Sequence, residues 1–129
     1  MMRRTLVSIG MIPAAILFVL VGCARQAPHT LYMPAVGDPM PGALYARAIQ
    51  LRYAGSGNNR MYATFERYVN GTPTFPIYES KDSGKTWRKI SDVTDQINGW
   101  GMRYQPFVYE MPVSVGNLAA GTVLCAGKS

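Results

Sequence analysis

The sequence predicts an all-β chain, and three observations carry the prediction. From residue 43 onward, apolar and polar residues alternate with a period of two. Turn-forming glycine and asparagine clusters interrupt that alternation at short intervals. No stretch after residue 30 sustains a 3.6-residue period. The 129 residues allow at most one modest domain. Hydrophobic residues make up 48% and charged residues 16%, which excludes a disordered, solvating chain. Two cysteines cannot staple a loop-rich scaffold, so a disulfide framework is excluded as well. A mean hydropathy near zero excludes a polytopic membrane protein.

The N-terminus has the layout of an export signal. Arg3 and Arg4 precede an apolar stretch over residues 6–21 that Pro13 interrupts. A spanning helix needs about 20 apolar residues, so this stretch is short for one. It ends in LVGC (residues 20–23), which resembles the bacterial lipobox, where cleavage precedes a cysteine whose thiol carries a diacylglycerol. Residues 1–22 are therefore expected to be a lipoprotein signal peptide. Cys23 is the expected lipidation site, and the cell envelope is the expected location, lipid-anchored at the membrane or secreted if the lipobox is not used. Residues 23–42, with four prolines, read as a tether. With Cys23 lipidated, Cys125 has no partner for an intrachain disulfide.

Six strands are predicted in residues 43–129. YARAIQL (45–51) alternates and is followed by the turn GSGNN (55–59). RMYATFERY (60–68) is aromatic-rich, and Asn70-Gly71 after it is the dipeptide of a tight hairpin. FPIYES (75–80) is a third strand, with Pro76 suggesting a sheet edge. The turn at 82–84 leads to TWRKISDV (86–93), and a loop over 94–103 carries NGWG (98–101). QPFVYE (105–110) and TVLCA (122–126) complete the set. Four antiparallel strands in about 50 residues suit one β-propeller blade, although strand spacing alone suits a small sandwich or an open antiparallel sheet equally well.

One motif separates these alternatives. Ser80, Asp82, Gly84, Thr86 and Trp87 fit Ser-x-Asp-x-Gly-x-Thr-Trp, the Asp-box or BNR repeat. In it the Asp carboxylate caps turn amides, Gly takes positive φ and Trp packs the hairpin. Its role is structural, so Asp82 is not expected to be catalytic. With the box in place, the flanks resemble the sialidase superfamily of six-bladed propeller glycosidases. YARAIQL (45–51) is similar to that family's opening strand, MYATFER (61–67) to its second strand with a Glu-Arg end, and QPFVYEMP (105–112) with AGTVL (120–124) to the exo-arabinanase-like branch. The resemblance implies an all-β, incomplete six-bladed propeller of about one and a half to two blades over residues 43–129. It also implies an ancestral exo-acting glycoside hydrolysis and a carbohydrate partner, oligosaccharide or polysaccharide.

The departures from the family narrow the expectation. Sialidases place an aspartate in the loop after the Glu-Arg pair, and YVNG (68–71) contains no acid. In the exo-arabinanase relatives the two catalytic glutamates lie in later blades. The catalytic residues are therefore unassigned here, and the length reads as a truncation that leaves strand edges bare. Propeller topology would gather Arg47, Glu66, Arg67 and Trp100 on the ligand-facing side. Arg47 offers a planar fork for hydroxyls or a carboxylate, and Trp100 between two glycines offers a face for stacking on sugar. The alternative reading is a strand-end ion pair for Glu66 and Arg67 and a blade-joint cover for Trp100. For the whole protein the alternative is a non-catalytic propeller that binds glycan or protein at the cell surface.

No cofactor and no metal are expected. His29 is the only histidine, and it sits in the tether, which removes a Ser-His-acid triad and a histidine-rich metal site. The basic excess, 13 Lys+Arg against 7 Asp+Glu, is scattered. Its densest group, Lys81, Lys85, Arg88 and Lys89, reads as solvated strand faces and not as a nucleic-acid stripe.

Overall fold

A computed structural model describes residues 30–129, so the signal segment, Cys23 and His29 lie outside the described residues. Six strands form: β1 (Ala43–Gln50), β2 (Met61–Arg67), β3 (Phe75–Ser80), β4 (Arg88–Val93), β5 (Arg103–Glu110) and β6 (Val123–Lys128). The first four make one antiparallel sheet in the order β1-β2-β3-β4, and β5 pairs with β6 in a second. One four-stranded meander followed by a two-stranded sheet is a partial β-propeller, a full blade and the inner half of the next.

Strand β2 is the best-buried element, and its neighbours explain why. It lies between β1 and β3, and β5 packs on one of its faces. On the other face Phe65 stacks between Tyr32, at a centroid distance of 5.2 Å, and Tyr78, at 5.9 Å. Residues 30–42 thus lie against the sheet: Tyr32 also donates a hydrogen bond to Asp38, and Tyr68 N–H donates to the Gly42 carbonyl. Between the two sheets sit Leu51, Phe75 and Val108. A cavity of about 590 Å³ remains there, lined among others by Tyr62, Ile77, Ile90, Val108 and Cys125.

The sheets are joined at both ends. The Glu110 carboxylate accepts hydrogen bonds from the amides of Arg52 (2.7 Å) and Tyr53 (2.8 Å). Fully buried Phe75 packs edge-on against Gly127 of β6, where a Cβ would have no room.

Three local expectations are corrected. Asn70-Gly71 does not form a two-residue hairpin: the bridge Arg67↔Thr74 closes a wider loop, only Gly71 has positive φ, and the Asn70 amide donates to the Gly37 carbonyl. Pro76 does not mark an edge, because β3 lies inside the sheet. Proline is accommodated because the β2–β3 pairs stop at Ala63↔Tyr78 and pairing resumes only at the bridge Arg67↔Thr74, so residue 76 has no ladder partner on β2. Thr86 and Trp87 belong to the preceding turn and not to β4. The Asp82 carboxylate holds both the amide and the hydroxyl of Thr86, at 2.8 and 2.6 Å.

That turn is a closed hydrogen-bond system. Ser80 Oγ donates to Asp82 and accepts from the Gly84 amide, both at 2.8 Å, while Trp87 Nε1 donates to the Gly84 carbonyl. Gly84 takes φ +86, and Ser83 shares the left-handed region at φ 59. Donation from the Thr86 hydroxyl and amide, with Ser80 in support, lowers the Asp82 pKa to about 2.

Candidate functional site

The strand register sorts the expected site residues by end of the sheet. Ala43↔Arg67 and Phe75↔Val93 put the start of β1, the end of β2, the start of β3 and the end of β4 together. The start of β5 joins them, because the Gln105 amide donates to Glu66 Oε1. Glu66, Arg67 and the loop bearing Trp100 lie at this end, whereas the Asp82 turn and Glu110 lie at the other. Arg47 sits at neither end. It is mid-strand opposite Thr64, exposed, with Nη1 donating to the Ala46 carbonyl at 3.2 Å.

Arg67 anchors a polar chain across three strands. Its Nη2 donates to Thr74 Oγ1 at 2.8 Å, Thr74 donates to Asp92 Oδ1 at 3.0 Å, and Asp92 also faces Lys89 Nζ at 2.5 Å. Burial pushes the Asp92 carboxyl up, but the hydrogen bonds from Lys89 and Thr74 and the charge of Arg67 outweigh it and hold the group below its ordinary value. Among the described residues, Arg67 Nε and Thr64 Oγ1 are buried without a hydrogen-bond partner.

Glu66 is only 1% exposed, and each of its oxygens has a donor. Tyr68 Oη donates to Oε2 at 2.8 Å, and the Gln105 amide donates to Oε1. The hydrogen bond to Glu66, followed by burial, pushes the Tyr68 phenol above its usual range. Glu66 and Arg67 are adjacent in sequence but do not pair with each other; each ties β2 to a different neighbour.

Trp100 is 67% exposed on a loop that Asp95 organises. The Asp95 carboxylate accepts from the amides of Ile97, Asn98 and Trp100, and those donors lower its pKa. Gly101, at φ +90, lies so close to Pro73 that a Cβ would overlap its ring, and Met102 N–H donates to the Pro73 carbonyl. The loop is therefore pinned beside Arg67 and Thr74 while the indole faces outward.

Sequence reasoning missed Tyr68, Thr74, Asp92, Tyr104 and Gln105. Tyr104 and Gln105 lie at φ 60 and 55 inside β5, an irregularity that neither residue type announces. All seven carboxylates of the chain belong to the described residues, and each one holds backbone amides, hydroxyls or cations: Asp38, Glu66, Glu79, Asp82, Asp92, Asp95 and Glu110. Hydrolysis of a glycosidic bond needs two carboxyl groups flanking that bond, about 5–9.5 Å apart. Among the described residues no cluster of three or more potential metal ligands occurs.

The chain is similar in fold and sequence to solved glycoside hydrolases. One is the GH93 α-L-arabinofuranosidase of Fusarium graminearum in complex with arabinobiose, 43% identical over 73% of this chain, with a TM-score of 0.64. The same enzyme in complex with an iminosugar inhibitor matches equally. The α-L-arabinanase of Penicillium chrysogenum, also complexed with arabinobiose, is 45% identical over 73% of this chain, again with a TM-score of 0.64. The chain spans about a quarter of the length of these proteins, 25% and 26%. No protein-family profile and no curated protein matches it.

Proposed function

We propose that this chain forms the arabinose-recognising start of an exported, lipid-anchored propeller glycosidase that acts in an exo manner on α-L-arabinose-containing glycans. The observation that carries this reading is the 43–45% identity to arabinobiose-bound hydrolases, combined with an exposed Trp100 at the end where β2 finishes and β5 begins. In this reading Arg47, Glu66, Arg67 and Trp100 serve substrate binding, directly or by support. The Ser80–Trp87 turn is an Asp-box that fastens the opposite end, and Cys23 carries the lipid. The hydrolytic carboxylate pair belongs to blades outside this quarter of the propeller.

A second reading is favoured by the full engagement of all seven carboxylates: a propeller that binds glycan without cleaving it. One experiment separates the two. This chain is titrated with arabinobiose by calorimetry, and a protein that carries it together with the remaining blades is incubated with linear α-arabinan while released sugar is measured. Binding with release supports the glycosidase; binding without release supports the glycan binder. Trp100→Ala is expected to weaken binding by roughly two- to tenfold, the value of one aromatic stack. Equal affinity for arabinobiose and an unrelated disaccharide would refute arabinose recognition.

A further inference from the structure

Two strands carry the same irregularity at the same end of the molecule. In β1 the register shifts between Leu44 and Arg47, with Tyr45 at φ 49. In β5 it shifts between Arg103 and Phe107, with Tyr104 and Gln105 at φ 60 and 55. Left-handed conformations are costly for tyrosine and persist only where surrounding structure enforces them. Bulges of this kind re-aim side chains, and the tyrosine at each is open to solvent, Tyr45 at 47% and Tyr104 at 55%.

Glu66 touches both irregularities. Its backbone pairs with Leu44, at the edge of the β1 bulge, and its carboxylate receives the Gln105 amide inside the β5 bulge. Tyr68 occupies the remaining oxygen. A buried carboxylate used in this way supplies the enforcement that the two strained segments require, because leaving that amide without an acceptor would be expensive.

We propose that Glu66 is a positioning residue that holds the bulges of β1 and β5 and thereby sets Tyr45 and Tyr104, at the end of the sheet that also carries Trp100, as an aromatic platform for a sugar ring. The platform is the apolar floor, and its hydroxyls and the Arg67–Thr74–Asp92 chain are the polar rim, the composition of a site for a pyranose or furanose face. Its carbohydrate half rests on the function proposed above; the tie itself does not.

The test uses the full chain and three substitutions. In the unsubstituted chain the Gln105 amide proton is expected downfield in NMR spectra and protected from hydrogen exchange by its carboxylate acceptor. Glu66→Gln is expected to move that amide proton upfield and to return the Tyr68 phenol toward its usual titration, read against a Tyr68→Phe reference by ultraviolet absorbance. Arabinobiose affinity is expected to fall roughly tenfold in both Glu66→Gln and Tyr104→Ala. Should Glu66→Gln fail to fold, Tyr104→Ala, which alters only an exposed side chain, and the position and protection of the Gln105 amide in the unsubstituted chain still decide the matter. An unmoved Gln105 amide overturns the tie. A moved amide with unchanged arabinobiose affinity in Glu66→Gln or Tyr104→Ala overturns the platform. No arabinobiose binding by the unsubstituted chain overturns the platform together with the function on which it rests, while the amide and phenol readouts still judge the tie.

Discussion

Replacing Gly127 with alanine tests how the two sheets are held together. A Cβ at this position would stand 2.8 Å from Phe75 Cζ and 3.2 Å from Cδ2, and closer still to Cε2. Carbon atoms prefer about 3.5–4.0 Å, so the ring or the strand has to move. Phe75 is fully buried, so making room means repacking its neighbours. Overpacking of this kind costs about 1–3 kcal/mol, and the gain of alanine over glycine in a strand returns about 0.5–1 kcal/mol of it. Gly127→Ala is therefore expected to destabilise the chain by about 1–2 kcal/mol. Phe75→Leu removes the atoms that collide and costs a comparable amount by itself. Because the two changes relieve one another, the double substitution should be more stable than the sum of the singles by about 1 kcal/mol. Urea denaturation followed by circular dichroism measures all four corners of the cycle. Additivity within about 0.5 kcal/mol, or a Gly127→Ala chain as stable as its parent, would refute the contact as the element that sets the sheet separation.

Other parts of the structure make separate predictions. Asp82 has a folded pKa of about 2, below its ordinary value, so the stability it contributes is complete above about pH 4 and is lost as pH falls toward 2; Asp82→Asn should flatten the acid limb of an unfolding series between those values. An acid limb that is identical in both chains would show that the turn does not couple to folding. Glu110→Gln weakens the acceptor for the Arg52 and Tyr53 amides and is expected to cost about 1–2 kcal/mol in the same urea assay, with hydrogen exchange at those two amides accelerating selectively. Burial pushes the Cys125 thiol above its usual pKa, so in a Cys23→Ser background it should react with a disulfide reagent at pH 8 more slowly than a free thiol and speed up in denaturant. A native rate equal to the denatured rate would contradict that burial.

The strand pattern was legible because each strand announces itself locally. FPIYES coincides with β3, and five further runs lie within a few residues of β1, β2, β4, β5 and β6, bounded by glycine or asparagine turns. The Ser80–Trp87 turn was equally legible, since its donors and acceptor are separated by only a few residues and close on one another without outside help. Pro76 misled because a residue type reports what a backbone position lacks, and not whether a neighbouring strand would have used it.

The candidate site divides along the same line. The resemblance gathered Arg47, Glu66, Arg67 and Trp100 at one end; the strand register puts Glu66, Arg67 and the Trp100 loop at the end away from the Asp82 turn and leaves Arg47 mid-strand. Tertiary structure decided what those residues touch. Glu66 reaches Gln105 across 39 positions, Arg67 reaches Thr74 and through it Asp92, and Arg47 falls mid-strand because a bulge consumes residues before it. Local composition determines which segments extend and where they turn, since those preferences act within a few residues. Which carboxylate meets which amide depends on the packing of one sheet against the next, and only the folded chain brings those groups into hydrogen-bond range.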